Sequence, residues 1–328
     1  MTITDGMPSF DRRGFLKAAG TGLVTLAAGP ALARAPLAGT QVPGLYRMKV
    51  GTIEVTAILD GHLDLPQALF PKATDGETGP LLDRAALPRA PHVNSPVNTY
   101  LINTGDRLVM IDTGTATAMG PTLGLMPKNL AASGVTPDQV DVVLVTHMHP
   151  DHVNGLITPD GKPFFPNAEV VVAGAEYGFW TDQAIMSQAP KDVQAFFQMA
   201  QAAVKPYADS NRLRRISADG EVVPGITAVA APGHTPGHTG YRIASGNQQL
   251  LVWGDIVHAA AFQFAKPDWS IAFDSDQNTA AASRKRMFDM TATDRITVAG
   301  MHLPFPGIGN VVRDGDAYRF VPVSWRPI

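Results

Sequence analysis

Four side chains able to ligate metal fall within one six-residue stretch, His147-Met148-His149-Pro150-Asp151-His152, and few folds can use such a density. Directly before it runs Val140-Asp141-Val142-Val143-Leu144-Val145, a mostly apolar segment of the kind buried within a sheet. A strand is therefore expected to end in a tight turn that makes imidazoles and a carboxylate converge. A lone histidine is commonly a satisfied core or surface residue; four ligand-type residues in six positions are not. The chain has no cysteine, so any ion must be held by His and Asp. Imidazole and carboxylate are the donors zinc takes when thiolate is absent. Three more candidates close other apolar runs. His234 follows Val229-Ala230-Ala231 in the turn Gly233-His234-Thr235-Pro236-Gly237-His238, Asp255 follows Leu250-Leu251-Val252-Trp253-Gly254, and His302 follows Ile296-Thr297-Val298-Ala299-Gly300-Met301.

The rest of the chain must supply a scaffold, and 328 residues with 45% hydrophobic content can bury a sizeable core. A formal net charge of -3 argues against a surface built for nucleic acid and leaves a small molecule as the expected substrate. Residues 1–35 read as an address. Arg12-Arg13-Gly14-Phe15-Leu16-Lys17 precedes a modest Gly/Ala-rich run to Ala33, a poor membrane anchor that resembles a bacterial twin-arginine export signal, with Ala-x-Ala cleavage patterns at residues 31–35. A periplasmic or secreted protein without stable membrane insertion is expected, with residues 36–328 as a single domain.

Along that domain, Val50–Leu59 and Val97–Ile102 read as strands, and Arg107–Ile111 closes a hairpin across Asn103-Thr104-Gly105-Asp106. Residues 66–92, rich in proline, read as a long loop. Helical spacing marks Leu123–Ser133, Asp192–Val204 and Asp276–Asp289. Further strands are expected at Ala168–Ala173, Ile226–Ala231, Thr239–Ala244, Gln248–Trp253 and Ile296–Ala299, and Asp314-Gly315 reads as a turn between two terminal strands.

The H-x-H-x-D-H signature at 147–152, followed by single His, Asp and His at 234, 255 and 302, resembles the ordered motifs of the metallo-β-lactamase superfamily. That resemblance implies an α/β fold, the αββα four-layer sandwich, with two divalent metal ions, zinc being the expected one. It also implies that His147, His149 and His234 hold one ion, that Asp151, His152 and His302 hold the other, and that Asp255 bridges them. The superfamily's β-lactamases lack a bridging carboxylate and many use a cysteine, so antibiotic hydrolysis is disfavoured here. Two such ions can share a hydroxide and supply a nucleophile at neutral pH. Asp151 and Asp255 are then expected to orient it, a catalytic role beyond ligation. Asp112, in Ile111-Asp112-Thr113-Gly114, has two readings: a carboxylate that orients a ligand from behind, as the superfamily's first motif implies, or a turn residue capping Gly114. His238 reads as structural, and His62 and His92 as exposed loop residues.

Fold alone names no reaction, since the superfamily includes lactonases, thioesterases, nucleases, sulfatases and redox proteins. Phe179-Trp180, Phe196-Phe197, Phe262, Phe264, Trp269 and Phe273 lie between the metal motifs, where aromatics form either core or the wall of a ligand pocket. Over its whole length the chain further resembles the methyl parathion hydrolases and dihydrocoumarin-type lactonases, through segments such as Gly120-Pro121-Thr122-Leu123-Gly124 and Phe305-Pro306-Gly307-Ile308-Gly309. This narrower resemblance implies a homodimer and an aromatic pocket that includes Trp180 and Phe196. It departs at His258, where the parathion-cleaving branch carries an aliphatic residue. His258, three residues beyond Asp255, is expected at the rim of the pocket, with Ile271 and Phe273 nearby. A polar rim and a filled pocket favour a lactone or aryl ester as main substrate and an organophosphate triester as a side substrate. The alternatives are a phosphotriesterase as main activity and a metal-binding scaffold without catalysis.

Overall fold

The alternation of apolar residues in Val142-Val143-Leu144-Val145 is resolved by the fold into two faces: Val142 and Leu144 point into one core, Val143 and Val145 into another. A strand apolar on both faces needs layers on both sides, and the computed structural model, which describes residue 35 and residues 37–328, provides them. Apart from Ala35, the expected export segment lies outside the described residues. Pro43–Ile328 form one unit.

Seven strands make one sheet in simple chain order: β1 (Leu45–Val50), β2 (Ile53–Pro66), β3 (His92–Asn103), β4 (Leu108–Ile111), β5 (Val142–Leu144), β6 (Glu169–Ala173) and β7 (Leu213–Ile216). β1 to β4 pair antiparallel and β4 to β7 parallel. The second sheet is also sequential: β8 (Asp219–Val223), β9 (Ile226–Ala230), β10 (Thr239–Ser245), β11 (Gln248–Val252), β12 (Thr297–Ala299), β13 (Ile308–Asp314) and β14 (Ala317–Pro322). Its only parallel pair is β11 with β12.

Between the sheets, Val55, Tyr100, Ile111 and Leu144 meet Ile226, Tyr241, Leu250 and Ala299. The outer face of the first sheet is covered by α2 (Met126–Ala132), α4 (Gly174–Thr181) and α6 (Lys191–Asp209), and that of the second by α8 (Gln277–Thr293). The order helix, sheet, sheet, helix is the expected four-layer sandwich. The remaining helices, α1 (Asp75–Arg84), α3 (Pro150–Val153), α5 (Gln183–Gln188) and α7 (Ala260–Gln263), are short. No described helix is long and apolar enough to cross a membrane.

Several expectations need correction. Of the strand expected at Val50–Leu59, Ile53–Leu59 lie on β2; Val50 instead ends β1, which carried no expectation, and Gly51 at φ +60° turns the chain between the two as a hairpin. Part of the loop expected at residues 66–92 is helix α1, whose Gly76, Gly79 and Pro80 are poor helix formers. Tertiary packing overrides that propensity, since Leu82 is buried with Phe70 and Phe262. Helices α4 and α5 and strands β7 and β8 carried no expectation. His62 and His92 lie on β2 and β3 rather than in loops, His92 exposed and His62 half-buried.

Candidate metal centre

β5 delivers the ligand turn to one end of the first sheet. His149 precedes Pro150, which opens α3 at a position where the lack of an N–H costs nothing. That single helical turn projects Asp151 and His152 back toward His147. His234 arrives from the turn after β9, Asp255 from the end of β11 and His302 from the end of β12, so all seven expected residues meet at the strand ends, all of them buried. Before Asp255, Gly254 takes φ +60° with no room for a side chain against the His238 ring.

The facing atoms form two groups. His147 Nε2, His149 Nδ1 and His234 Nε2 lie 2.9–3.2 Å from one another. Asp151 Oδ2 lies 3.4 Å from both His152 Nε2 and His302 Nε2. Asp255 Oδ2 stands between the groups, 3.5 Å from His147, 3.3 Å from His234, 3.3 Å from His152 and 3.1 Å from His302. Hydrogen bonds cannot satisfy so many converging nitrogens, and His152 Nε2 and Asp255 Oδ1 are buried without a hydrogen bond. Cations would complete such a set, and a cysteine-free group of imidazoles and carboxylates fits divalent transition metals.

Behind the donors, the His147, His152, His234 and His302 rings are held from their far sides. His302 Nδ1 lies 2.8 Å from the Pro96 carbonyl, which can only accept, so Nδ1 carries a proton and Nε2 is the atom turned to the centre. His152 Nδ1 meets Asp112 Oδ2 at 2.7 Å, and Asp112 also accepts from the Thr146 backbone and hydroxyl. Of the two readings for Asp112, the orienting one is realised. The residue holds φ +56° to do it. His238 is structural as expected: Nδ1–H donates to Ala231 O, and Nε2 accepts from the Asp255 backbone N–H at 2.9 Å.

Two supporting carboxylates had no sequence signal. Asp274 Oδ1 lies 2.8 Å from His234 Nδ1, with the buried Arg284 guanidinium 3.7 Å from its other oxygen. Glu176, wholly buried on α4, accepts four hydrogen bonds: from Met148 N and Trp180 Nε1 on one oxygen, and from Thr235 Oγ1 and Gly237 N on the other. It thereby ties the 147–152 turn to the 234–238 turn. Gly237 is required there, because a side chain would overlap the Glu176 backbone.

Electrostatics follow from burial and pairing in the metal-free protein. Burial alone would lower His302 and His234, but Asp255 with Asp151 raises the first to about 10, and Asp255 with Asp274 raises the second to about 9. Burial would raise Asp151 and Asp255, yet the surrounding imidazoles, His152 foremost, hold both well below the usual carboxylate range. Burial pushes His147 and His149 well down. Without metal the centre therefore pairs ionised carboxylates with protonated His234 and His302 at neutral pH, and metal binding would displace those protons.

Above the centre is a cleft of about 40 Å³ whose walls include Leu63, Leu65, Met119, Phe196, His258 and Phe273. Of the expected substrate residues, Phe196, His258 and Phe273 line it. Trp180 does not: it is buried behind His149, ring centroids 5.3 Å apart, with Phe179 and Phe197 packed around it. Its bond to Glu176 fixes it there. His258 is also misplaced by the sequence reading. It is 3% exposed rather than at a hydrated rim, with Nε2 3.2 Å from Asp255 Oδ2. Ile271, Phe262, Phe264 and Trp269 are core.

Comparison with known proteins agrees with this architecture. Residues 93–298, more than half of the chain, match the metallo-β-lactamase superfamily, and the chain belongs to it. Among curated relatives, an N-acyl homoserine lactonase of Bacillus thuringiensis is 26% identical over 165 residues, covering 44% of this chain and 57% of that protein. The β-lactamase-like protein 2 homolog of Drosophila melanogaster is 27% identical over 165 residues, 49% of this chain and 46% of that protein. The match thus spans about half the length of these relatives. Among solved structures, AbOPH, a hydrolase in the β-lactamase superfamily, superposes with a TM-score of 0.84 at 35% identity over 88% of this chain and 100% of its own. AidC, a dizinc quorum-quenching lactonase seen with the product N-hexanoyl-L-homoserine, does so with a TM-score of 0.81 at 25% identity over 87% and 99%.

Proposed function

We propose that this protein is a binuclear metal-dependent hydrolase that opens lactones, aryl esters of similar shape being alternative substrates and organophosphate triesters a side activity. The observation that carries this reading is the position of Asp255 Oδ2, within 3.5 Å of imidazoles from both donor groups. His147, His149 and His234 would hold one ion, Asp151, His152 and His302 the other, with Asp255 shared; zinc is the ion this donor set suits. Bound there, two ions would make a nucleophile from water at neutral pH and polarise the scissile carbonyl. The chain's own residues do the rest. Asp255, fixed by His238 and Gly254, sets the line between the two groups. Asp151, ionised and at 11% side-chain exposure the most open of the second group, is placed to orient the attacking water. Leu63, Leu65, Phe196 and Phe273 give the cleft an apolar wall.

Support for a lactone comes from relatives whose names record action on lactones. The resemblance to dihydrocoumarin-type lactonases points the same way. We also propose that the enzyme is exported through its twin-arginine segment and works as a homodimer, whose mass in solution sedimentation checks. The test of function is a panel of lactones, aryl esters and dimethyl aryl phosphotriesters offered to metal-loaded protein. Lactones are expected to give the highest kcat/KM; a higher value for the triester would reverse the assignment.

A further inference from the structure

Asp255 Oδ2 is ringed by five imidazole nitrogens, one more than the two donor groups account for. The fifth is His258 Nε2 at 3.2 Å, as near as His302 at 3.1 Å and nearer than His147 at 3.5 Å. Asp255, His258 and His302 offer donor atoms that all lie within 4.8 Å of one another, as do His147, His149, His234 and Asp255, and as do Asp151, His152 and His302. The His258 ring stacks on His302, centroids 5.1 Å apart at 20°, and sits 4.7 Å from the His234 ring.

This placement is built. The His258 backbone N–H donates to Gln263 Oε1 at 2.7 Å, the Ser95 hydroxyl donates to the His258 carbonyl at 3.0 Å, and Gln263 is itself held by Trp269 O. All of these groups are buried. A packing role does not explain the side chain, because its Nδ1 is buried without a partner, a cost an aliphatic residue of similar size would avoid. Within the second donor group, Asp151 is the exposed member, at 11% of its side chain against 0% for His152 and 2% for His302. It is the donor most readily displaced.

We infer that Asp255, His258 and His302 form a third donor set for a divalent transition metal, with His258 an eighth ligating side chain that exchanges with Asp151 at the second ion. This rests on the binuclear reading above and adds a residue and a second mode of holding the ion. The test strips the protein with a chelator and titrates it with cobalt(II), reading metal per chain after dialysis. Wild type is expected to hold two cobalt ions; one ion only would overturn the binuclear reading and this inference with it. Asp151→Ala is expected to keep a second cobalt ion, bound roughly 10- to 100-fold more weakly, and Asp151→Ala/His258→Leu to hold one. Equal binding by these two variants, or loss of the second ion in Asp151→Ala alone, would overturn the third set while leaving the binuclear centre standing. Should the double variant not fold, His258→Leu alone decides by proton NMR of the cobalt protein. One paramagnetically shifted imidazole N–H resonance is expected to disappear; an unchanged count excludes His258 as a ligand.

Discussion

Glu176 carries more of the site's architecture than any other residue outside the donor sets. Its two oxygens accept four hydrogen bonds of 2.7–2.9 Å from buried donors, three on two separate ligand turns and the fourth from Trp180 on its own helix. In Glu176→Gln the carbonyl oxygen can still serve Met148 and Trp180, and the Thr235 hydroxyl can rotate to accept. The Gly237 N–H then faces an amide N–H, so one buried donor is stranded at a cost of about 1 to 3 kcal/mol. Glu176→Ala strands all four, roughly 4 to 12 kcal/mol before relaxation and water entry, comparable with the whole stability of about 5 to 15 kcal/mol expected of a domain. Thermal unfolding of chelated protein is the assay. At about 2 to 4 °C per kcal/mol for a chain of this size, Glu176→Gln should lower Tm by roughly 2 to 12 °C, and Glu176→Ala should lower it far more or not fold. Variants within about 2 °C of wild type, or indistinguishable from each other, would show that these bonds do not hold the turns.

Removing the support behind one ligand should act on metal more than on fold: Asp274→Ala is expected to weaken cobalt binding roughly 10- to 100-fold, Asp274→Asn less because its oxygen can still accept from His234, and equal losses would refute the orienting role. A pH prediction follows from His234 and His302, raised to about 9 and about 10 chiefly by Asp255, beside Asp274 and Asp151 respectively, against the effect of burial. Both folded values exceed the unfolded value of about 6.5, so their stabilisation is complete below that pH and is lost as pH rises through 9 to 10. Chelated protein should therefore lose Tm between pH 7 and 10 while metal-loaded protein, its protons displaced, does not; parallel profiles would contradict this. Replacing Arg12 and Arg13 by Lys should leave active enzyme in the cytoplasm, and normal periplasmic recovery of that variant would end the export proposal.

What could be read before the fold was known separates along one physical line. The donors are legible because His147 to His152 are contiguous and because His234, Asp255 and His302 each end an apolar run that any sheet would bury. The two-faced alternation at Val142–Val145 is legible for the same local reason, and it alone requires layers on both sides of the sheet. Glu176 and Asp274 are lone carboxylates in helical or irregular segments, and the ligand turns they hold lie 28 to 61 and 40 residues away. Nothing in their neighbours' sequence marks them. Helix α1 was hidden by its own glycines and proline, and the β1–β2 hairpin by apolar residues on both sides of a single informative glycine, Gly51. His258 misled in the opposite sense. An imidazole three residues past a proposed ligand reads as a polar group at the pocket rim, and only the contacts of Ser95 and Gln263 with its backbone reveal that it is folded inward. The donors of this centre are thus local in sequence, whereas the groups that aim them are assembled by the tertiary fold, so substitutions at Glu176 and Asp274 test the structure in a way that substitutions at the donors cannot.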